Sequence, residues 1–257
     1  TQFKTFEELY GAYKAQMNYM IELLVNANNA IDVAHAERCP LPYLSSMVED
    51  CIKRGKSVQE GGAVYNFTGP QGFGIANVTD SLWAIKELVF EQKKYTLADF
   101  KDAMENNFGK GLPKPKAEQL TRAIVSELVQ NGKPLSEELV ASVYKAVTEY
   151  KPSPEKQAMY EQLLKDIESL PKYGNDVAEV DLFARDAAYT YTKPLEKYKN
   201  PRGGIFQAGL YPVSANVPLG AQTGATPDGR LACTPLADGV SPAAGRDKNG
   251  PTAACNS

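Results

Sequence analysis

Apolar residues near the start of the chain recur at intervals of three and four, which predicts one long amphipathic helix. The pattern runs from Phe3 to about Ala36, with apolar positions Phe6, Leu9, Tyr10, Tyr13, Met17, Met20, Leu24 and Ile31. Pro40 and Pro42 end this helix because proline lacks the amide proton that a helix interior needs. A second helix is predicted over residues 44–54, with Gly55 at its C-terminal stop.

Two later segments have the composition of strands. Residues 61–68 predict a short strand entered through a glycine turn, and residues 205–217 predict one or two buried strands. Between them the pattern predicts mostly helices, over residues 79–94, 96–108 and 153–169, and one opening after residues 174–176. Thr96 is a good N-cap, with Asp99 three residues further on. The pattern therefore predicts a helix-rich chain with few strands.

Residues 110–154 differ in character from their surroundings. Prolines and glycines punctuate two short amphipathic helices, one with Leu120, Ile124 and Leu128 and the other with Leu139, Val143 and Val147. This arrangement predicts a helical surface insertion with a small contact face of its own.

Composition narrows the class of protein. The 257 residues include 28 Lys and Arg against 31 Asp and Glu, a formal net charge of −3. A nucleic-acid binder needs a basic face, so nucleic acid is not an expected partner. No stretch has the roughly 20 apolar residues of a membrane span, and the first residues lack signal-peptide character. The sequence predicts a globular protein with no membrane partner, located in the cytoplasm.

The side chains that carry metal or nucleophilic chemistry are few. The four cysteines are far apart and form no Cys-x-x-Cys pair, and His35 is the single histidine. No metal site is therefore predicted, and no Ser-His or Cys-His pair. Residues 69–74 read Gly-x-x-Gly-x-Gly, which is neither a dinucleotide fingerprint nor a Walker loop, so a structural turn is favoured.

Loops rich in turn residues follow residue 200. Asp228 in Pro-Asp-Gly and Asp238 in Ala-Asp-Gly are typical turn formers. Tyr211 lies among apolar neighbours, where a tyrosine either packs in the core or walls a pocket while its hydroxyl orients a ligand. The residues alone leave both interpretations of Tyr211 open.

Several motifs resemble those of the glycyl radical enzymes. They are residues 61–72 (Gly-Gly-Ala-Val-Tyr-Asn-Phe-Thr-Gly-Pro-Gln-Gly), 200–204 (Asn-Pro-Arg-Gly-Gly), 211–220 (Tyr-Pro-Val-Ser-Ala-Asn-Val-Pro-Leu-Gly), 224–230 (Gly-Ala-Thr-Pro-Asp-Gly-Arg), 237–242 (Ala-Asp-Gly-Val-Ser-Pro) and 245–247 (Gly-Arg-Asp). The later motifs resemble the dehydratase and lyase branch of the pyruvate formate-lyase-like enzymes. Their order agrees with that family along nearly the whole chain, apart from residues 110–154.

Two motifs of that family do not occur in this sequence. One is the Cys-x-Glu loop that forms the thiyl radical, and the other is the Arg-Val-x-Gly-Tyr-like loop that stores the radical on glycine. None of the four cysteines is followed two residues later by Glu; the residues at those positions are Leu41, Lys53, Pro235 and Ser257. The family's order implies that both loops lie outside this stretch. We therefore expect residues 1–257 to be an internal part of the barrel domain of a longer enzyme, with residues 110–154 as an insertion and no catalytic residue in the segment.

The resemblance also implies a fold, a site and partners. The fold is α/β, with this segment as a helix-rich part of a ten-stranded α/β barrel, and Tyr211 and Val213 are the positions that line the substrate cavity. No cofactor is expected in this segment, whereas the full-length enzyme would carry a glycyl radical installed by an S-adenosylmethionine-dependent activating enzyme. A small-molecule substrate, a homodimer, and the cytoplasm or a bacterial microcompartment as location are further expectations.

The resemblance favours a dehydratase that converts 1,2-propanediol or glycerol into an aldehyde and water. A choline trimethylamine-lyase and an isethionate-type C–S lyase are alternatives, because their motifs in this stretch are similar. An alternative of another class is a catalytically inactive fragment that acts as an interaction module. The segment alone, without both radical loops, is expected to be inactive.

Overall fold

The computed structural model describes residues 3–257, apart from the side chain of Pro115. The α-helices are α1 Phe6–Arg38, α2 Pro42–Met47, α3 Cys51–Arg54, α4 Ile75–Ile85, α5 Leu97–Glu105, α6 Lys114–Gln130, α7 Glu137–Glu149, α8 Pro154–Ser169, α9 Ala178–Leu195, α10 Asn216–Gln222 and α11 Gly250–Asn256. A π-helical turn, Lys86–Glu91, continues α4, and short 3-10 turns cover Val58–Glu60 and Asn107–Gly109.

The long first helix is confirmed. Thr5 caps its N-terminus, where the Thr5 hydroxyl accepts a hydrogen bond from the backbone N–H of Glu8 over 3.2 Å. Phe6, Ile21 and Val25 are buried along one side of α1. Their spacing places the buried stripe against α9 and the segment that follows it.

Two apolar clusters form most of the core. The larger joins α4, its π-helical continuation, α5 and α8, and its buried members are Ala84, Leu88, Phe100, Ala103, Phe108, Tyr160, Leu163 and Ile167. The second joins α1 and α9 to a later extended segment, and its buried members are Ile21, Val25, Tyr191, Leu195 and Phe206. Burial of such side chains contributes roughly 1.5–3 kcal/mol each, so the clusters fix the helices relative to one another.

The helix predicted over residues 79–94 begins earlier than expected. Gly74, with φ of 76°, precedes the first residue of α4, Ile75. The left-handed conformation of Gly74 lets the chain turn directly from the glycine-rich loop into the helix. Asp80 consequently lies inside α4 and is buried.

Residues 110–154 form the two predicted helices, α6 and α7, which pack against each other as a hairpin. The turn between them includes Gly132, whose φ is 88°. Val125 and Val147 are buried, while Leu135 at the turn is exposed. None of the helices in the described part of the chain is long and apolar enough to cross a membrane.

The prediction of strands over residues 61–68 and 205–217 is wrong. Residues 3–257 contain isolated bridges and no strand; Thr68 bridges Phe206 and Gln71 bridges Gly209, both in parallel orientation. The backbone N–H of Thr68 donates to Ile205 and that of Gly72 to Gly209. Between these bonds a regular ladder needs a donor at residue 70, and Pro70 has no N–H. Pro70 therefore interrupts the ladder between residues 68–72 and 205–209, and within residues 61–68 Thr68 alone forms a bridge.

Candidate substrate-cavity wall

The two bridged segments, residues 68–72 and 205–209, together have two unlike faces. Successive side chains of extended backbone point to opposite sides. Phe206 is buried, and Ala208 and Leu210 pack with it against α1 and α9. Ile205 and Gln207 point the other way and are exposed. One face is thus covered by helices, and the opposite face is open.

Tyr211 and Val213, the residues expected to line a cavity, follow directly on from this pair of segments. The exposed fraction is 57% for Tyr211 and 38% for Val213. The Leu210 carbonyl accepts a hydrogen bond from the Val240 N–H over 3.1 Å, and the Tyr211 carbonyl accepts one from Gln71 Nε2 over 2.5 Å. The structure therefore holds the backbone here and leaves both side chains accessible. We call the open face of residues 205–213 the wall.

The Asn-Pro-Arg-Gly-Gly motif anchors the beginning of this wall. Asn200 Nδ2 donates to the Thr68 hydroxyl over 2.9 Å, and Asn200 Oδ1 accepts from the Gly204 N–H over 2.9 Å. Arg202 Nε lies 3.0 Å from Asp32 Oδ2, and another guanidinium nitrogen of Arg202 donates to the Phe67 carbonyl. The motif therefore ties α1 and both extended segments together.

A second set of hydrogen bonds fixes the loop on the other side of the wall. The Gly74 N–H donates to the Ala237 carbonyl over 2.9 Å, and the Ala237 N–H donates to Asn77 Oδ1 over 2.7 Å. Asn216 Nδ2 donates to the Leu236 carbonyl, and the Leu236 N–H donates to the Asn216 carbonyl. These bonds satisfy polar groups that would otherwise be costly to bury.

Tyr191 supports the wall from the covered face. Its hydroxyl donates to the Pro70 carbonyl over 2.9 Å. Burial raises the pKa of Tyr191 to about 12, because the phenolate would lose hydration. The hydroxyl therefore remains a donor over the physiological pH range.

Gln71 is the residue that the sequence analysis missed. It lies in the glycine-rich loop, for which the sequence favours a structural turn, and within the family-like motif 61–72, but neither pattern predicts a role for its side chain. Its Nε2 contacts the Tyr211 carbonyl, whereas its Oε1 is buried and has no hydrogen-bond partner among the described residues. In the sequence, the one indication of a special role is that Gln71 places an amide side chain between Pro70 and Gly72. Its partner, the Tyr211 carbonyl, is 140 residues away and is not predictable from this local pattern.

All four cysteines are free thiols, and Cys51 is buried. Among residues 3–257 no group of three or more His, Cys, Asp or Glu side chains is arranged to hold a metal ion.

The model of the pyruvate formate lyase-like family matches residues 1–220, and the chain belongs to this family. The resemblance drawn from the motifs is thereby confirmed. Similar proteins include the trans-4-hydroxy-L-proline dehydratase of Clostridioides difficile, 32% identical over 99% of this chain and 26% of that protein. The family's dehydratases are thus recognisable relatives of this chain.

Two solved structures are also similar. One concerns 1,2-propanediol dehydration in Roseburia inulinivorans. Its sequence identity to this chain is 58% and the TM-score is 0.91, and the match covers 99% of this chain and 30% of the chain in that structure. The other is the glycerol-bound B12-independent glycerol dehydratase from Clostridium butyricum, with 45% identity and a TM-score of 0.76, covering 99% of this chain and 26% of that one. The chain spans between about a quarter and a third of the length of these relatives.

Proposed function

We propose that this chain contributes one wall of the substrate cavity of a glycyl radical diol dehydratase, which converts 1,2-propanediol or glycerol into an aldehyde and water. The observation that carries the proposal is the 58% identity, over 99% of the chain, to the structure concerned with 1,2-propanediol dehydration. The open face that ends in Tyr211 and Val213 supplies a surface of suitable character for this role.

Within that cavity we assign Tyr211 and Val213 to substrate binding. The ring of Tyr211 and the methyl groups of Val213 offer apolar area to the carbon chain of a small diol, while the Tyr211 hydroxyl offers a hydrogen bond to an alcohol. A wall of this kind also excludes water from a reactive intermediate. Asn200, Arg202 and Asn216 hydrogen-bond to other groups of the protein, so we assign them to holding the wall in place rather than to binding substrate.

The radical chemistry belongs to parts of the proposed enzyme that this segment does not carry. When present, the glycyl radical supplies the one-electron chemistry that removes hydrogen from carbon, and an S-adenosylmethionine-dependent activating enzyme installs it. We expect the isolated 257-residue segment to be inactive because neither radical loop occurs in its sequence.

We also propose a domain assignment, an oligomeric state and a location for the enzyme. We assign residues 1–257 to part of the ten-stranded barrel domain, with the α6–α7 hairpin inside the insertion 110–154. A homodimer, and location in the cytoplasm or in a bacterial microcompartment, complete the proposal. The diol reaction is preferred over a sulfite-lyase reaction because identity is 58% and 45% to the two diol and triol structures and 29% to the isethionate sulfite-lyase of Oleidesulfovibrio alaskensis.

The test is an anaerobic assay of the enzyme produced from its complete reading frame, activated with the radical-installing enzyme and S-adenosylmethionine. Aldehyde release is measured with 1,2-propanediol, glycerol, choline and isethionate, and radical content by electron paramagnetic resonance. We expect turnover of a diol or triol, and loss of about tenfold or more in kcat/KM in Tyr211→Ala.

Tyr19→Ala is the matched control, because Tyr19 is also 57% exposed but belongs to α1 and not to the extended segments. Its activity should equal that of the unaltered enzyme. A radical-containing enzyme that turns over choline or isethionate but neither 1,2-propanediol nor glycerol would contradict the proposal. A reading frame that ends at this segment, with no radical formed, would favour the interaction module instead.

A further inference from the structure

Gln71 makes a contact that the proposed wall depends on. Its side-chain amide donates to the Tyr211 carbonyl over 2.5 Å, across the two extended segments. Leu210, the first residue beyond the last bridge (Gln71 with Gly209), is fixed by packing on the covered face, and Tyr211 is the second residue beyond that bridge. The amide of Gln71 therefore restrains the backbone at the point where regular pairing has ended.

Gly209 keeps the space between Gln71 and Tyr211 clear. A Cβ atom at residue 209 would lie 2.7 Å from Gln71 Oε1 and 2.8 Å from Tyr211 Cε1, closer than ordinary contact allows. The amide oxygen of Gln71 and the ring of Tyr211 thus both lie within 3 Å of the point that this Cβ atom would occupy. A change in the position of Gln71 therefore affects both the backbone and the ring of Tyr211.

We propose that Gln71 is a positioning residue that sets the place of the Tyr211 ring in the substrate cavity, and through it the selection between 1,2-propanediol and glycerol. This inference rests on the proposed function. Gln71 itself does not touch substrate in this scheme, because its Oε1 is buried and its Nε2 is engaged. The two substrates differ by one hydroxyl group, so a displaced wall changes how well each one packs.

The test is Gln71→Glu in the complete, activated enzyme. Glutamate has the size of glutamine, but its carboxylate cannot donate to the Tyr211 carbonyl. We expect faster hydrogen exchange at the amides of Tyr211 and Val213, unchanged exchange around Phe206, and a change of about fivefold or more in the ratio of kcat/KM for the two substrates. The change should lie mainly in KM, because the reacting groups are untouched.

Gln222→Glu is the control, since it introduces the same charge at an exposed residue at the end of α10. An unchanged substrate ratio in Gln71→Glu, with normal turnover, would overturn this inference and leave the proposed function intact. A loss of exchange protection that includes Phe206 would also overturn it, because the role would then be general stability. Absence of diol turnover in the unaltered, radical-containing enzyme would refute the proposed function and the Gln71 assignment together.

Discussion

Asn77 Nδ2 donates a hydrogen bond to Asp228 Oδ2 over 2.8 Å inside the protein, although 151 residues separate them. Both side chains are buried, with 5% of Asn77 and none of Asp228 exposed. The other amide atom of Asn77, Oδ1, accepts from the Ala237 N–H over 2.7 Å. One side chain on α4 therefore joins two distant loops, and one of those loops adjoins the proposed wall.

Replacing Asn77 by alanine is expected to lower the free energy of unfolding by about 2–4 kcal/mol, because Asp228 Oδ2 and the Ala237 N–H each lose a buried hydrogen-bond partner. Urea unfolding of the chain measures the change. Asn18→Ala, at an exposed residue of α1, is the control and should change stability by less than about 0.5 kcal/mol. Equal effects of the two substitutions would contradict the importance of the Asn77 contact.

Most helices were predictable because their signals are local, but the single helix predicted over residues 44–54 is wrong: residues 48–50 separate α2 from α3, and Asp50 there has a φ of 71°. Spacing of apolar residues indicated α1, and Thr96 with Asp99 indicated the start of α5. In the structure the Thr96 N–H donates to Asp99 Oδ2 over 2.8 Å, and the Asp99 N–H donates to Thr96 Oγ1 over 3.2 Å. Such a reciprocal cap involves residues three apart, so the sequence contains all of the relevant information.

Long-range relationships were not predictable in the same way. The turn at Pro-Asp-Gly exists, since the Gly229 N–H donates to the Thr226 carbonyl, but burial of Asp228 against Asn77 depends on a distant helix. The strand prediction over residues 61–68 failed because composition reports β propensity and not pairing, and of these residues only Thr68 finds a bridge partner, Phe206. Tyr211 and Val213 came from the family resemblance. Their placement on the open face depends on the distant segment that pairs with residues 205–209.

Gly72 and Gly11 make a matched pair for a packing test. An added Cβ at Gly72 would lie 2.7 Å from Leu210 Cδ2 and 2.9 Å from Tyr191 Cε1, whereas nothing lies within 4 Å at Gly11 in α1. Gly72→Ala is expected to destabilise the protein by about 1–3 kcal/mol through overpacking. Gly11→Ala should stabilise it by up to about 1 kcal/mol, because alanine favours a helix interior. Thermal unfolding measures both, and a stabilising Gly72→Ala would show that this interface is loosely packed.

Asp80 on α4 is a buried carboxyl group with an incomplete set of partners. Only 2% of the residue is exposed; Oδ1 accepts from the Tyr173 N–H over 3.0 Å, and Oδ2 has no hydrogen-bond partner among the described residues. Burial raises the pKa of Asp80 to about 7, against a smaller lowering effect of the Tyr173 N–H and of Lys172. The protein therefore favours the protonated form of Asp80 more than the unfolded chain does.

The raised pKa of Asp80 predicts the direction in which the free energy of unfolding changes with pH. The pKa of Asp80 is about 7 in the folded state, whereas the ordinary value is 3.8. Between about pH 4 and pH 7 the folded protein therefore holds a proton on Asp80 that the unfolded chain has released. The stability that Asp80 contributes is present below about pH 4 and is lost as the pH rises towards 7. Burial lowers the pKa of Lys172 to about 8, so most of the Lys172 titration lies above this window.

We therefore expect the free energy of unfolding to fall more steeply between pH 5 and pH 7 in the unaltered chain than in Asp80→Asn. The difference between the two curves should be about 2 kcal/mol across this interval, because one proton per molecule corresponds to about 1.4 kcal/mol per pH unit. Urea unfolding at several pH values gives both curves. Asp247→Asn, at an exposed residue, controls for the loss of a carboxylate and should keep the original slope. If Asp80→Asn also keeps that slope, Asp80 is already ionised in the folded protein at pH 5.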